Sequence, residues 1–293
     1  MATAPANGIS IEYDTFGHPS DPALLLVMGL GGQMTMWAEG FCEELAGRGF
    51  FVIRFDNRDV GLSSKIESGP APDMAKAMTG DFSSASYTLW DMADDAAGLL
   101  DHLGIQKAHI VGASMGGMIV QAMAIRHPDR VLSMTSIMST TGNPDVGQPK
   151  PEAMASLLSP PPSTRDEAIA AAAASWSIIG SPAYPTAPEL IAEWTARDYD
   201  RCFYPVGVTR QLLAIMATGD RTEALRRLNV PTLVIHGEDD PLVTLSGGQA
   251  TAAAIPGAKL LTFPGMGHDF PAALYHQWID AIVENTQRAI ATA

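Results

Sequence analysis

The chain has too few cysteines, Cys42 and Cys202, for a disulfide framework. A small stapled fold is therefore excluded, and both are expected to be reduced, partly buried thiols of a cytoplasmic protein. Basic residues are scarce: 18 Lys and Arg stand against 32 Asp and Glu, a formal charge of −14. That balance argues against nucleic acid or an anionic membrane surface as a partner. The longest fully apolar stretch near the start, Ala23 to Met28, is far below the about 20 residues that span a bilayer, so no membrane insertion is expected. The opening Met-Ala-Thr-Ala-Pro-Ala-Asn-Gly lacks the basic and apolar regions of a secretory signal, and the expected location is the cytoplasm. Neither H-E-x-x-H nor G-x-x-x-x-G-K-[ST] occurs, so no metal and no cofactor is implied. No internal repeat is visible.

The 293 residues, 46% of them hydrophobic, suffice for one large domain or a core with an insertion. Apolar runs at Leu24–Met28, Phe51–Phe55, Ala108–Val111, Val131–Ile137, Thr232–His236 and Lys259–Phe263 read as strands, several of them buried on both faces. Between them lie helical patterns. From Leu89, apolar residues recur at Met92, Ala93, Ala96, Leu99, Leu100 and Leu103, after Thr88 with Asp91 three residues on and before Gly104. Such alternation predicts an α/β fold with a mostly parallel central sheet covered by helices on both faces. It breaks between about Asn143 and Asp220, where prolines and helix formers replace strands. The expected division is a core of residues 1–142 and 221–293, with residues 143–220 a helical cap over the ligand crevice.

The densest local signal is Gly112-Ala113-Ser114-Met115-Gly116-Gly117, between the Ala108 strand and a helical pattern from Met118 to about Arg126. A serine on a sharp strand-to-helix turn requires small residues two before and two after it, and Gly112 and Gly116 supply them. The turn exposes the hydroxyl, and the helix that follows aims N–H groups at a developing oxyanion.

A serine hydroxyl needs a base, and the base needs an orienting carboxylate. Of seven histidines, only His268 lies in a glycine-bounded loop after the last strand, within Pro264-Gly265-Met266-Gly267-His268. His109 and His236 lie within strands, where a packing role is expected. The acid comes from Glu238-Asp239-Asp240-Pro241. Asp240 is preferred because the following proline biases it to an extended turn conformation, with Asp239 the alternative. One oxyanion donor is expected to be the Met115 N–H. The other is assigned to Leu30 N–H, with Gly29 the alternative, in the loop Met28-Gly29-Leu30-Gly31-Gly32. Trp176, Trp194, Tyr199 and Phe203 could line a pocket or simply pack the cap.

With these motifs the chain resembles the α/β-hydrolase superfamily over nearly its whole length. Asp56-Asn57-Arg58-Asp59-Val60-Gly61-Leu62-Ser63 is similar to the family's D-x-R-G-x-G-x-S loop, with Asp59 in place of a glycine, and Met28-Gly29 stands where His-Gly is common. These features together resemble serine methylesterases of the aclacinomycin methylesterase type. The resemblance implies serine-dependent hydrolysis of a carboxylic ester, on a small-molecule or polyketide-like substrate. Hydrolysis of a lactone, whether macrolide or enol-lactone, and perhydrolysis use the same triad and remain alternatives. A ligand receptor built on a hydrolase fold is the alternative of another class. Nothing in the sequence decides whether the chain forms a homodimer.

Overall fold

Each of the predicted apolar runs forms a strand in the computed structural model, which describes residues 1–291. In chain order the strands are β1 (Ala2–Ala6), β2 (Ile9–Phe16), β3 (Ala23–Val27), β4 (Phe51–Phe55), β5 (Ala108–Ala113), β6 (Val131–Ile137), β7 (Thr232–Gly237) and β8 (Lys259–Phe263). They form one sheet in the order β1-β2-β4-β3-β5-β6-β7-β8. From β4 onward every pairing is parallel, while β1–β2 and β2–β4 are antiparallel.

The sequence reading did not anticipate the hairpin β1–β2. Its first strand is short, lacks branched apolar residues and contains Pro5, which a strand tolerates only at the edge of a sheet, where β1 lies. The signal that was present is Asn7-Gly8. Both residues have positive φ, 47° and 77°, as a tight two-residue hairpin turn requires.

The helices are α1 (Glu39–Gly47), α2 (Met74–Ala77), α3 (Leu89–His102), α4 (Met115–Arg126), α5 (Pro151–Leu157), α6 (Arg165–Ile179), α7 (Pro188–Arg201), α8 (Pro205–Thr218), α9 (Thr222–Leu225), α10 (Leu245–Ala254) and α11 (Tyr275–Ala291). The expected start of α3 is built as read: the Thr88 N–H donates to Asp91 Oδ2 at 2.8 Å, and Gly104, at φ 70°, follows its end. Alternate residues of β3 serve opposite layers. Leu25 and Val27 join a core with Met92 and Leu100 of α3 and Ile119 and Met123 of α4. Leu24 and Leu26 join another with Phe41 and Leu45 of α1 and Trp278, Ile279 and Ile282 of α11. All four β3 side chains are fully buried, each contributing roughly 1.5–3 kcal/mol of transfer free energy. Helices α5 to α8 all lie between β6 and β7, with no strand among them.

His109 and His236 are buried in β5 and β7, as expected of strand histidines. His109 Nδ1 meets Ser133 Oγ at 2.8 Å and its ring meets the Phe50 ring edge-on. Burial pushes the His109 imidazole down from 6.5 to about 4. A group whose folded pKa is depressed contributes stability above its unfolded pKa and loses it as pH falls through the folded one. Acidification from 6.5 to about 4 is therefore expected to cost up to about 3 kcal/mol through this residue alone. Urea denaturation at a series of pH values should show His109→Gln with a flatter acid limb than wild type; superimposable limbs would exclude His109 as a source of the acid loss.

The chain order places β4 on one side of β3 and β5 on the other. The carboxyl ends of β3 and β5 thus flank a topological switch point, where ligand crevices form in open α/β sheets. The loops after β3, β5, β7 and β8 all emerge at this carboxyl edge. They carry Leu30, Ser114, Asp240 and His268.

Candidate active site

Ser114 sits between β5 and α4 with φ 55° and ψ −119°, a strained conformation for a residue other than glycine. Its neighbours leave no choice at two positions. A Cβ on Gly112 would lie 2.0 Å from the Gly116 carbonyl oxygen, and one on Gly116 would lie 2.1 Å from the Val27 carbonyl oxygen. The turn is fixed by the Ser114 N–H donating to Ile137 O at 2.8 Å and the Ser139 hydroxyl donating to Ser114 O at 2.8 Å. Ser114 itself is half-buried, with its hydroxyl turned toward His268.

The structure brings three distant side chains into one line. His268 Nε2 lies 2.9 Å from Ser114 Oγ, and His268 Nδ1 lies 2.7 Å from Asp240 Oδ2. Asp240 is 2% exposed. Its other oxygen accepts the N–H groups of Leu242 and Val243 at 2.8 and 2.9 Å. A carboxylate so engaged is an acceptor, so the imidazole proton belongs on Nδ1 and Nε2 is left to accept from the serine hydroxyl. Asp239 is not part of this line. It is exposed, and its carboxylate accepts the Gly265 N–H at 2.8 Å. His236 approaches Asp240 to 3.6 Å, but its Nε2–H donates to Val243 O at 2.7 Å. Burial lowers its pKa, so it stands beside the carboxylate as a neutral ring.

The loop after β3 passes over the serine. The Cβ position of Gly29 lies 3.1 Å from Ser114 Cβ. The N–H groups of Leu30 and Met115 have no acceptor among the described residues. Gly31 is different: its N–H donates to Gln211 Oε1 at 2.8 Å. Gln211, fully buried on α8, also donates through Nε2 to Arg58 O at 2.8 Å. It therefore ties the glycine loop to the Asp56–Ser63 loop. Sequence reading did not find Gln211, because a contact across 180 residues leaves no local spacing. Within the second loop, Asp59 adopts φ 68° where the family pattern has glycine. Its carboxylate accepts the Tyr87 hydroxyl at 2.8 Å and the Ile66 N–H at 2.7 Å, contacts that hold the left-handed backbone and that glycine could not make.

A cavity of about 1070 Å³ opens beside the glycine loop and the Asp56–Ser63 loop; Leu30 lines it, while Ser114, Asp240 and His268 stand outside its lining. Leu30, Gly31, Val60 and Phe270 line it from the sheet side. Trp176, Trp194, Tyr199 and Phe203, named above as pocket or packing residues, all line it from the helices between β6 and β7. Met115 does not: it is fully buried in the core. Both cysteines are free, and burial pushes the Cys42 thiol up to about 12, which keeps it protonated. Among the described residues, no group of three His, Cys, Asp or Glu side chains could hold a metal ion, and no helix is long and apolar enough to cross a membrane.

Similar proteins are known from both sequence and structure. Rhodomycin D methylesterase from Streptomyces sp. strain C5 is 28% identical, with 96% of each chain covered. The 3-oxoadipate enol-lactonase 2 of Acinetobacter baylyi is also 28% identical, over 84% of this chain and 82% of its own. Among solved structures, the meta-cleavage product hydrolase of Pseudomonas fluorescens IP01 superposes with a TM-score of 0.79 at 21% identity, covering 99% of this chain and 98% of that one. Residues 22–271 match the α/β hydrolase fold family, a span that contains Ser114, Asp240 and His268, and the chain belongs to that family.

Proposed function

We propose that the protein is a serine carboxylic ester hydrolase that works through an acyl-enzyme. The observation that carries this reading is the continuous Ser114–His268–Asp240 relay, at 2.9 and 2.7 Å, with its serine held on a strained turn. Ser114 Oγ attacks the ester carbonyl while His268 Nε2 takes its proton. The same proton then goes to the leaving alcohol. Asp240 holds the imidazole tautomer and stabilises its charged form. The oxyanion is bound by the N–H groups of Met115 and Leu30. Engagement of Gly31 by Gln211 removes Gly31 as a donor, and Gly29 N–H, which like Leu30 N–H has no acceptor among the described residues, stays the alternative. Water activated by His268 then releases the acid.

Residues 143–220 are read as a cap that closes the cavity over the sheet edge. The cavity is large for a small-molecule site, about 1070 Å³ against roughly 300–1,000 Å³ for most. Its lining is mostly apolar and aromatic. The fitting substrate is a bulky ester whose apolar body fills the cap side. A second reading, lactone opening, is supported by the similarity to an enol-lactonase. It is the same acyl transfer with the alcohol left tethered.

The test is steady-state hydrolysis of p-nitrophenyl esters from acetate to decanoate, beside a set of lactones. Turnover is expected to rise toward the longer acyl chains, because the apolar cavity has room for them. No turnover of any ester or lactone, with retention of a bound ligand instead, would overturn the hydrolase reading in favour of a receptor.

A further inference from the structure

The loop that carries His268 has little rigidity of its own. Gly265 and Gly267 lie just before His268 in it, and Gly265 sits at φ 73°. Asp240 fixes the imidazole ring but not the backbone beneath it. That backbone is held on one side by the loop after β7, where Asp239 N–H donates to Met266 O at 3.1 Å and the Asp239 carboxylate accepts the Gly265 N–H at 2.8 Å, and on the other by the joint between α6 and α7. Gly267 N–H donates to Ser181 Oγ at 2.9 Å, and His268 N–H donates to Ile179 O at 2.7 Å. The Asp269 carboxyl meets Ser181 twice, accepting its N–H at 3.2 Å and pairing with its hydroxyl. Two residues further along, Ala183 N–H donates to Gly265 O at 3.0 Å. Gly265, Gly267, His268 and Asp269 of the loop are thus bonded to Ile179, Ser181 and Ala183 at the joint.

The contact is close and dry. Ser181 and Asp269 are 3% and 2% exposed. A Cβ on Gly267 would lie 2.4 Å from Ile179 O. Burial raises the Asp269 pKa, and no cation pairs with it among the described residues. A buried carboxyl without a cation is an expensive way to hold a loop, unless the loop's placement matters. The joint also reaches the cavity: Gly180 N–H donates to Trp176 O at 2.8 Å, and Trp176 lines the cavity wall.

We propose that Ser181 and Asp269 are positioning residues for the base: through them the α6–α7 joint sets the distance from His268 Nε2 to Ser114 Oγ. The inference rests on the serine-hydrolase reading above. It makes these helices part of the catalytic apparatus rather than a cover over it. Displacement of a catalytic group by about 1 Å costs on the order of a hundredfold in rate.

The test uses Ser181→Ala, Asp269→Ala and Asp269→Asn beside wild type. Two quantities are read: the rate constant and final extent of Ser114 labelling by a fluorophosphonate, followed by intact mass, and kcat and KM for p-nitrophenyl butyrate. Both alanine variants are expected to label fully but about ten- to a hundredfold more slowly, with kcat reduced alike and KM unchanged. Asp269→Asn can still accept the Ser181 N–H through its amide oxygen and can donate its NH₂ to Ser181 Oγ in place of accepting from it, and is expected to stay close to wild type. Alanine variants that melt earlier yet label each folded molecule at the wild-type rate would overturn the proposal. So would an asparagine variant as slow as the alanine one. If Asp269→Ala fails to fold, Ser181→Ala decides. Wild type that does not label at Ser114 would reject the hydrolase reading itself, a different failure.

Discussion

Replacing Ser114 by alanine is expected to lower turnover of a p-nitrophenyl ester on the order of a millionfold while leaving the fold intact. The hydroxyl is the only group in the relay able to form the acyl bond, and it stands 2.9 Å from the base. Alanine has the same backbone preferences as serine at φ 55°, so the strain of the turn is unchanged. Loss of the hydroxyl leaves His268 Nε2, on a side chain 7% exposed, without that partner, while the backbone bonds of Ser114 to Ile137 and Ser139 remain. His268→Ala is expected to fall to a similar level. The sharper test is the double variant. Nucleophile and base act as one unit, so removing both should cost no more than removing either. What survives would come from binding and the oxyanion donors. Additive losses would mean that the two side chains act independently. Near wild-type hydrolysis by Ser114→Ala would place the nucleophile elsewhere.

Asp240→Asn is expected to cost about 10⁴-fold in kcat near neutral pH. The amide would retain the shape of the carboxylate and could still accept the Leu242 and Val243 N–H groups. Toward His268 it would present an NH₂ donor where an acceptor stands 2.7 Å away. The imidazole would then carry its proton on Nε2 and could not take one from Ser114. The neighbouring Asp239→Asn is expected to leave kcat near wild type, since that exposed side chain accepts the Gly265 N–H, a bond an amide oxygen can keep. His236 offers no substitute base, because it is fully buried and its Nε2–H is given to Val243 O. Comparing kcat for the two asparagine variants checks the assignment, and a reversed order would make Asp239 the acid.

Much of this architecture was legible from local pattern. Runs such as Leu24–Val27 read as doubly buried strands, and β3 is buried at every residue. The elbow was legible because close approach of the Gly116 and Val27 carbonyls forbids side chains at Gly112 and Gly116. The N-terminal hairpin was not read, since Ala2–Ala6 is a poor strand by composition and owes its place to pairing with Ile9–Phe16. The choice between Asp239 and Asp240 rested in the sequence on one following proline. In the structure it rests on burial and a 2.7 Å contact.

By itself the sequence determined the alternation of strands and helices, the sharp turn at Ser114 and the order of serine, acid and histidine along the chain. Those features follow from constraints a few residues long: which faces are apolar, and where no side chain fits. Tertiary structure alone decided that Gln211 ties the glycine loop, that Ser181 and Asp269 grip the His268 loop, and that four aromatics of the helical segment face the cavity. Each of these depends on how α6 to α8 settle on the carboxyl edge of the sheet. That packing joins residues 86 to 180 positions apart, and no period or motif along the chain records it.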